Sequence, residues 1–174
     1  MRRGGVKGAE ARAAGALRVE DMVEADLPQV MVIERVSFRA PWSLKTFREE
    51  LTREWARLRV ALEAVPPTAA GEVAGGRGAV LGYLLWWRVD NEAHVLNLAT
   101  HPDARRRGVA RALMDDCLRE ARDRDLTYLT LEVRRSNVAA LKLYEGLGFK
   151  VVGVRPRYYV EENEDALVME LTRN

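Results

Sequence analysis

From His94 onward the chain alternates between strand-like and helix-like stretches, and this constrains its fold more than any other feature. The segment His94 to Thr100 reads as a strand, and Ala110, Leu113, Met114, Cys117, Leu118 and Ala121 mark one face of a helix over 108–123. A strand over 126–133, a helix over 137–146 and a strand over 149–154 follow, and Ala166 to Leu171 closes the chain as an alternating strand. Strand–helix–strand order of this kind implies a partly parallel sheet with helices packed on it.

The first half supplies the rest of that sheet. Leu17, Val19 and Met22 begin a strand; Asp26 before Leu27-Pro28 predicts a helix cap with proline in the first turn, and Val30, Ile33, Glu34 and Ser37 continue at helical spacing. A break at Ala40-Pro41-Trp42 leads to Ser43, the expected cap of a helix holding Phe47 and Leu51. Strands are expected over Arg57 to Glu63 and Ala79 to Val89. The apolar run Val80 to Trp87 is too dense for an edge and argues for a central strand. Val65 to Gly78, rich in Pro, Ala and Gly, reads as a mobile surface loop, and residues 1–15 as a disordered basic tail. The remaining residues, 16–174, form a single domain. The expected architecture is α/β, with a mixed, partly parallel sheet of about seven strands and about four helices.

Composition removes several function classes. A formal charge of +2 in 174 residues does not advertise a nucleic-acid partner, so any anion site must be local. One cysteine and two histidines leave no disulfide framework and no expected metal site. Cys117 lies on the buried stripe of its helix and reads as core. No apolar run has the length of a membrane span and the basic start lacks a signal peptide's hydrophobic stretch, which sets the expectation of a cytoplasmic protein with no membrane partner.

One local anion site does stand out. Arg105-Arg106-Arg107-Gly108-Val109-Ala110 opens the 108–123 helix. Three arginines there oppose the helix dipole, whose N-terminal end is already positive. Arginines on a solvated turn are one reading. A pyrophosphate held by first-turn N–H groups, with Gly108 allowing close approach, explains both the charge and its position.

These residues resemble the GNAT superfamily of N-acetyltransferases, whose hallmark is Gln/Arg-x-x-Gly-x-Gly/Ala between the fourth strand and third helix. Ala40-Pro41-Trp42-Ser43, Asn97-Leu98-Ala99-Thr100, Leu131-Glu132-Val133-Arg134, Ser136-Asn137, Leu143 to Phe149, Arg157-Tyr158-Tyr159 and Glu164-Asp165-Ala166 extend the likeness to the RimI-type ribosomal-protein-alanine N-acetyltransferases, over about Leu17 to Leu171. The resemblance implies acetyl-CoA as cosubstrate and no metal. It places the coenzyme on Arg105, Arg106, Arg107, Gly108, Val109 and Ala110, on the backbone of Leu98, Ala99 and Thr100, and on Asn137, which has a competing role as a helix cap. It makes Glu132 the general base, although mid-strand placement equally suits a solvent-facing carboxylate. It makes Tyr144 the group that protonates the departing thiolate, on a ring that also suits the core.

The acceptor is less constrained. Trp42 on one side, and Tyr158 and Tyr159 beside the acidic turn Glu161 to Asp165 on the other, form the walls expected to take a protein N-terminus; the resemblance implies an Ala-initiated ribosomal protein. Direct nucleic-acid binding is not expected. Lysine side chains or small amines remain alternative acceptors, and a non-catalytic CoA- or ribosome-binding module is an alternative of another class.

Overall fold

Side chains alternate across a strand, so each strand sends two sets of residues to opposite faces, and here each set meets its own pair of helices. The computed structural model describes residues 17–64 and 77–173. The elements run β1 (Leu17–Asp21), α1 (Leu27–Ser37), α2 (Leu44–Leu51), β2 (Ala56–Glu63), β3 (Val80–Val89), β4 (Glu92–Thr100), α3 (Val109–Asp123), β5 (Tyr128–Arg134), α4 (Val138–Gly146), β6 (Lys150–Tyr159) and β7 (Glu164–Thr172). The seven strands form one sheet in the order β1-β2-β3-β4-β5-β7-β6. Only β4 and β5 pair in parallel. The mixed seven-stranded sheet with four α-helices among the described residues is the architecture the alternation predicts.

One face is covered by α1 and α2, through Leu27, Val30, Ile33 and Phe47 against Val60, Leu62, Tyr83 and Leu85. The other is covered by α3 and α4, through Val109, Leu113, Met114, Cys117, Ala121 and Tyr144 against Leu84, Trp86, Val95, Leu129, Leu131 and Val133. Seven consecutive residues of β3, Val80 to Trp86, are buried, as its central position between β2 and β4 requires.

Local chemistry fixes two of the four helix starts among the described residues. Ser43 Oγ accepts the Thr46 N–H at 3.1 Å at the head of α2, and Asn137 Oδ1 accepts the Ala140 N–H at 3.2 Å at the head of α4, both as expected. Asp26 differs. Its side chain does not cap α1: a single 3-10 turn, Glu24–Asp26, precedes the helix, so Asp26 is already in the αR region. Its carboxylate accepts the Val23 N–H at 2.9 Å and pairs with Arg77 at 3.1 Å instead. The strand expected over 149–154 runs on to Tyr159. β6 is an edge strand, where Pro156 costs no ladder bond, and the register shifts between Arg155 and Tyr159. The tail expected over residues 1–15 and the loop over 65–76 lie outside the described residues.

Gly82 sets the contact between the sheet and α3. A Cβ there would lie 2.7 Å from the Ala99 carbonyl oxygen and 2.7 Å from Val109 Cγ1, one on β4 and the other at the start of α3. Gly82→Ala is therefore expected to push β4 and the α3 terminus apart, destabilising the fold by about 1–3 kcal/mol. The readout is a fall of several degrees in Tm.

Candidate active site

The parallel pairing of β4 with β5 is short. It covers Glu92 to Val95 against Tyr128 to Leu131 and then stops, whereas β4 stays paired to β3 as far as Thr100. The register shift between Leu85 and Trp86, which pair with Asn97 and Val95, leaves Leu96 as an extra residue on β4 at the point where the strands part. Beyond it, Leu98, Ala99 and Thr100 have β3 on one side and no strand on the other. Their outward backbone groups line a wedge-shaped cleft, a ready edge for an extended amide-bearing ligand.

At the open end of that wedge, β4 passes through a 3-10 turn, Pro102–Ala104, into the arginine loop. Arg106 (φ 61°) and Gly108 (φ 78°) both take left-handed backbone conformations. For Arg106 this costs about 1–2 kcal/mol, strain of the kind held at ligand sites. Unlike α2 and α4, α3 has no side-chain cap: Gly108 is its N-cap residue. The Val109, Ala110 and Arg111 N–H groups at its first turn thus lack intrahelical acceptors. Arg105 and Arg106 are exposed and have no ion-pair partner among the described residues, whereas Arg107 pairs with Glu63 at 2.8 Å. The terminus combines orphan donors with uncommitted positive charge, which suits a pyrophosphate.

Glu132 is the first β5 residue beyond the last parallel pair, so it stands at the apex of the wedge. Leu129, Leu131 and Val133 belong to the α3–α4 core, and alternation turns Glu132 to the α1–α2 face. Its carboxylate is 3.1 Å from the guanidinium of Arg155, which reaches over β7 from β6 and is more than half exposed. Tyr144 lies on the opposite face, its ring 5.9 Å from that of Phe149. Burial, chiefly, pushes its phenol well above the ordinary range. Trp86 Nε1 is the one sealed side-chain polar atom without a partner among the described residues, so the Tyr144 hydroxyl, which has no hydrogen bond there, is not sealed off. The wedge therefore has a carboxylate on one face and a phenol on the other.

Two walls rise on the Glu132 face. The first is the α1–α2 connection with Trp42, whose ring packs 5.8 Å from that of Phe47. The second is the β6–β7 hairpin with Tyr158 and Tyr159, whose rings meet edge-on at 5.3 Å. Burial pushes the Tyr159 phenol up to about 12, against the nearby Arg134 guanidinium, which stacks 3.8 Å from its ring. The hairpin's acidity is largely neutralised by the chain itself. Glu162 pairs with Arg134 at 3.1 Å and with Arg39 of the first wall at 3.9 Å, and Asp165 pairs with Arg135 at 3.6 Å. Glu164 accepts the Ser136 N–H at 2.7 Å, which ties the hairpin to the head of α4; the Ser136 side chain and then this N–H hold its carboxyl below the ordinary range.

Sequence reasoning did not foresee Arg155 beside Glu132, nor Glu34 beneath Trp42. The only signal for Glu34 is a carboxylate on the buried stripe of an amphipathic helix. His94 pairs with Glu92 at 2.7 Å, and no metal-binding group of His, Cys, Asp or Glu occurs among the described residues. A groove of about 610 Å³ at the far end of α3, lined by Arg57, Arg59, Asp116, Arg119 and Glu120, has its charges mutually paired and lies away from the wedge.

The family model described as the acetyltransferase (GNAT) family matches residues 27–149. The chain is 33% identical over 155 residues to the ribosomal protein bS18-alanine N-acetyltransferase of Escherichia coli, covering 88% of this chain and 95% of that protein. It is 35% identical over 148 residues to the same-named protein of Salmonella typhimurium, covering 84% and 90%. A crystal structure of the Escherichia coli ribosomal-protein-S18-alanine N-acetyltransferase superposes with a TM-score of 0.74 at 31% identity, over 90% of this chain and 94% of that one.

The single cysteine of the chain is inert by construction. Cys117 is fully buried in α3, and burial, with Glu120 and Asp116 nearby, raises its thiol far above the usual value. The native protein is expected to show no fast-reacting thiol with a disulfide reagent, and one thiol on unfolding. Rapid labelling of the native protein, with parallel loss of activity, would contradict this placement.

Proposed function

The chain belongs to the GNAT family of acetyltransferases and is an acetyl-CoA-dependent N-acetyltransferase; from that premise we propose that it acetylates the N-terminal α-amine of an Ala-initiated ribosomal protein. Glu132 at the apex of the wedge is the observation that carries the chemistry. The acceptor rests on the relatives named above. With such an acceptor its place of work is the cytoplasm, in keeping with the fact that no helix among the described residues is long and apolar enough to cross a membrane.

The residues suit the cosubstrate. The uncapped α3 terminus with Arg105, Arg106, Arg107, Gly108, Val109 and Ala110 would hold its pyrophosphate, Asn137 would add a contact beside its capping role, and the backbone of Leu98, Ala99 and Thr100 would pair with its amides. Acetyl-CoA, when bound, supplies a thioester whose carbonyl carbon is open to attack. Trp42, Tyr158 and Tyr159 would wall the acceptor on the Glu132 face. The amine nitrogen bonds to the carbonyl carbon, its proton passes to Glu132 directly or through water, and the carbon–sulfur bond breaks. Tyr144, from the other face, donates a hydrogen bond to the departing thiolate. A phenol that burial holds above its ordinary range favours this hydrogen bond over full proton transfer to a thiolate near 8.5.

Two physical points favour an α-amine. Its ordinary pKa of about 7.7–8.0 leaves roughly a tenth uncharged at neutral pH, whereas lysine near 10.4 is almost wholly charged. A carboxylate base is adequate for the former. The exposed Arg155 can also leave Glu132 for water as the amine arrives, with little desolvation cost.

Mass spectrometry of products from N-terminal peptides, lysine peptides and small amines tests the acceptor. Acetylation of the α-amine of an Ala-initiated peptide is the expected outcome; lysine or small-amine products alone would overturn it. Glu132→Gln and Tyr144→Phe are each expected to lower kcat, the former by about 10²-fold or more, with acetyl-CoA affinity nearly intact. Wild-type rates in both would sink the mechanism. Arg106→Ala is expected to weaken acetyl-CoA binding about tenfold, and an unchanged Kd would remove the phosphate assignment.

A further inference from the structure

One fully buried carboxylate takes no part in this chemistry. Glu34 lies on the sheet-facing side of α1 in the core formed with Phe47, Tyr83 and Leu85, with no exposed surface. A carboxylate is a costly occupant for such a position unless its oxygens are satisfied. Here they are, by groups from two separate parts of the chain. Oε1 accepts the backbone N–H of Trp42 at 2.8 Å, and Oε2 accepts the Tyr83 hydroxyl of β3.

The partners explain what the arrangement can do. Trp42 lies in the α1–α2 connection that walls the acceptor. Tyr83 pairs with Ala99 of β4, on the stretch whose outward edge would open to the cosubstrate. A single carboxylate thus joins the acceptor wall, through β3, to the strand that would carry the thioester. Reaction between two bound molecules depends steeply on their relative placement. An apolar residue at position 34 could fill the same space but could not hold the Trp42 main chain.

We propose that Glu34 is a positioning residue for the acceptor, fixing the Trp42 wall relative to β3 and β4 through its bonds to the Trp42 N–H and the Tyr83 hydroxyl. This rests on the acceptor reading above. Because the bond is to the main chain of Trp42, replacing the Trp42 side chain does not reproduce its loss. Burial raises the carboxyl above its ordinary pKa, while the bonds from Tyr83 and the Trp42 N–H oppose that rise.

The test separates acceptor from cosubstrate in the full-length protein. For wild type, Glu34→Ala, Glu34→Gln and Tyr83→Phe, kcat and KM are measured with the Ala-initiated peptide, and the acetyl-CoA Kd is measured by calorimetry. Glu34→Ala is expected to raise the peptide KM about tenfold or more with the acetyl-CoA Kd within about twofold of wild type. Glu34→Gln keeps an oxygen for the Trp42 N–H and is expected to recover most of the loss. Tyr83→Phe removes one hydroxyl from the core and is expected to give a smaller rise in peptide KM; it decides the matter if Glu34→Ala does not fold. Wild-type peptide KM in folded Glu34→Ala, or in Tyr83→Phe where the alanine variant fails, overturns the role of Glu34. A fall in acetyl-CoA affinity parallel to the loss of peptide binding also overturns it, as the mark of general structural damage. Failure of the wild-type enzyme to acetylate the peptide instead overturns the acceptor reading, and the positioning role with it.

Discussion

Everything about this site depends on one pairing that stops early. β4 and β5 share four residue pairs and then separate, although each keeps its other neighbour, β3 or β7. An unpaired strand edge inside a sheet would ordinarily be a liability, since its backbone groups need partners. Here the extra residue at Leu96 turns that edge into a cleft that reaches both faces. On the proposed reading the gap would give the two substrates separate approaches; strand alternation and the helix that packs behind place Glu132 and Tyr144 on different sides of it.

Much of this was legible in the sequence for physical reasons. Periodicity located the helices because α3 buries Leu113, Met114, Cys117 and Ala121 along one stripe. The density of apolar residues in Val80 to Trp86 identified a central strand because only a strand covered on both faces tolerates such a run. The positive charge of Arg105 to Arg107 marks a candidate anion site, because arginines do not help a helix start. Ser43 and Asn137 were read correctly as caps because capping is settled within three residues.

What escaped was settled at longer range. Asp26 has the look of a cap, but a preceding 3-10 turn already makes it helical, and its carboxylate turns to Val23 and Arg77. The strand expected over 149–154 continues through Pro156 to Tyr159, because the outer edge of the sheet asks nothing of the proline's missing N–H. The pairing of Arg155 with Glu132 needs β7 threaded between their strands, and the Tyr83 hydroxyl that meets Glu34 comes from a strand far along the chain. The acidic turn was visible as charge, but not that Arg39, Arg134 and Arg135 would answer most of it.

The bare head of α3 has a thermodynamic side as well. A helix whose first N–H groups have no side-chain cap, and whose approach holds Arg106 in a left-handed conformation, is unfinished by its own sequence. On the proposed reading, a pyrophosphate seated there would complete the hydrogen bonding of the fold as well as anchor a cosubstrate. Any ligand that binds only the native state stabilises it in proportion to the logarithm of its concentration. Metabolic supply of the acetyl donor then enters twice, as reactant and as a term in the protein's own folding equilibrium.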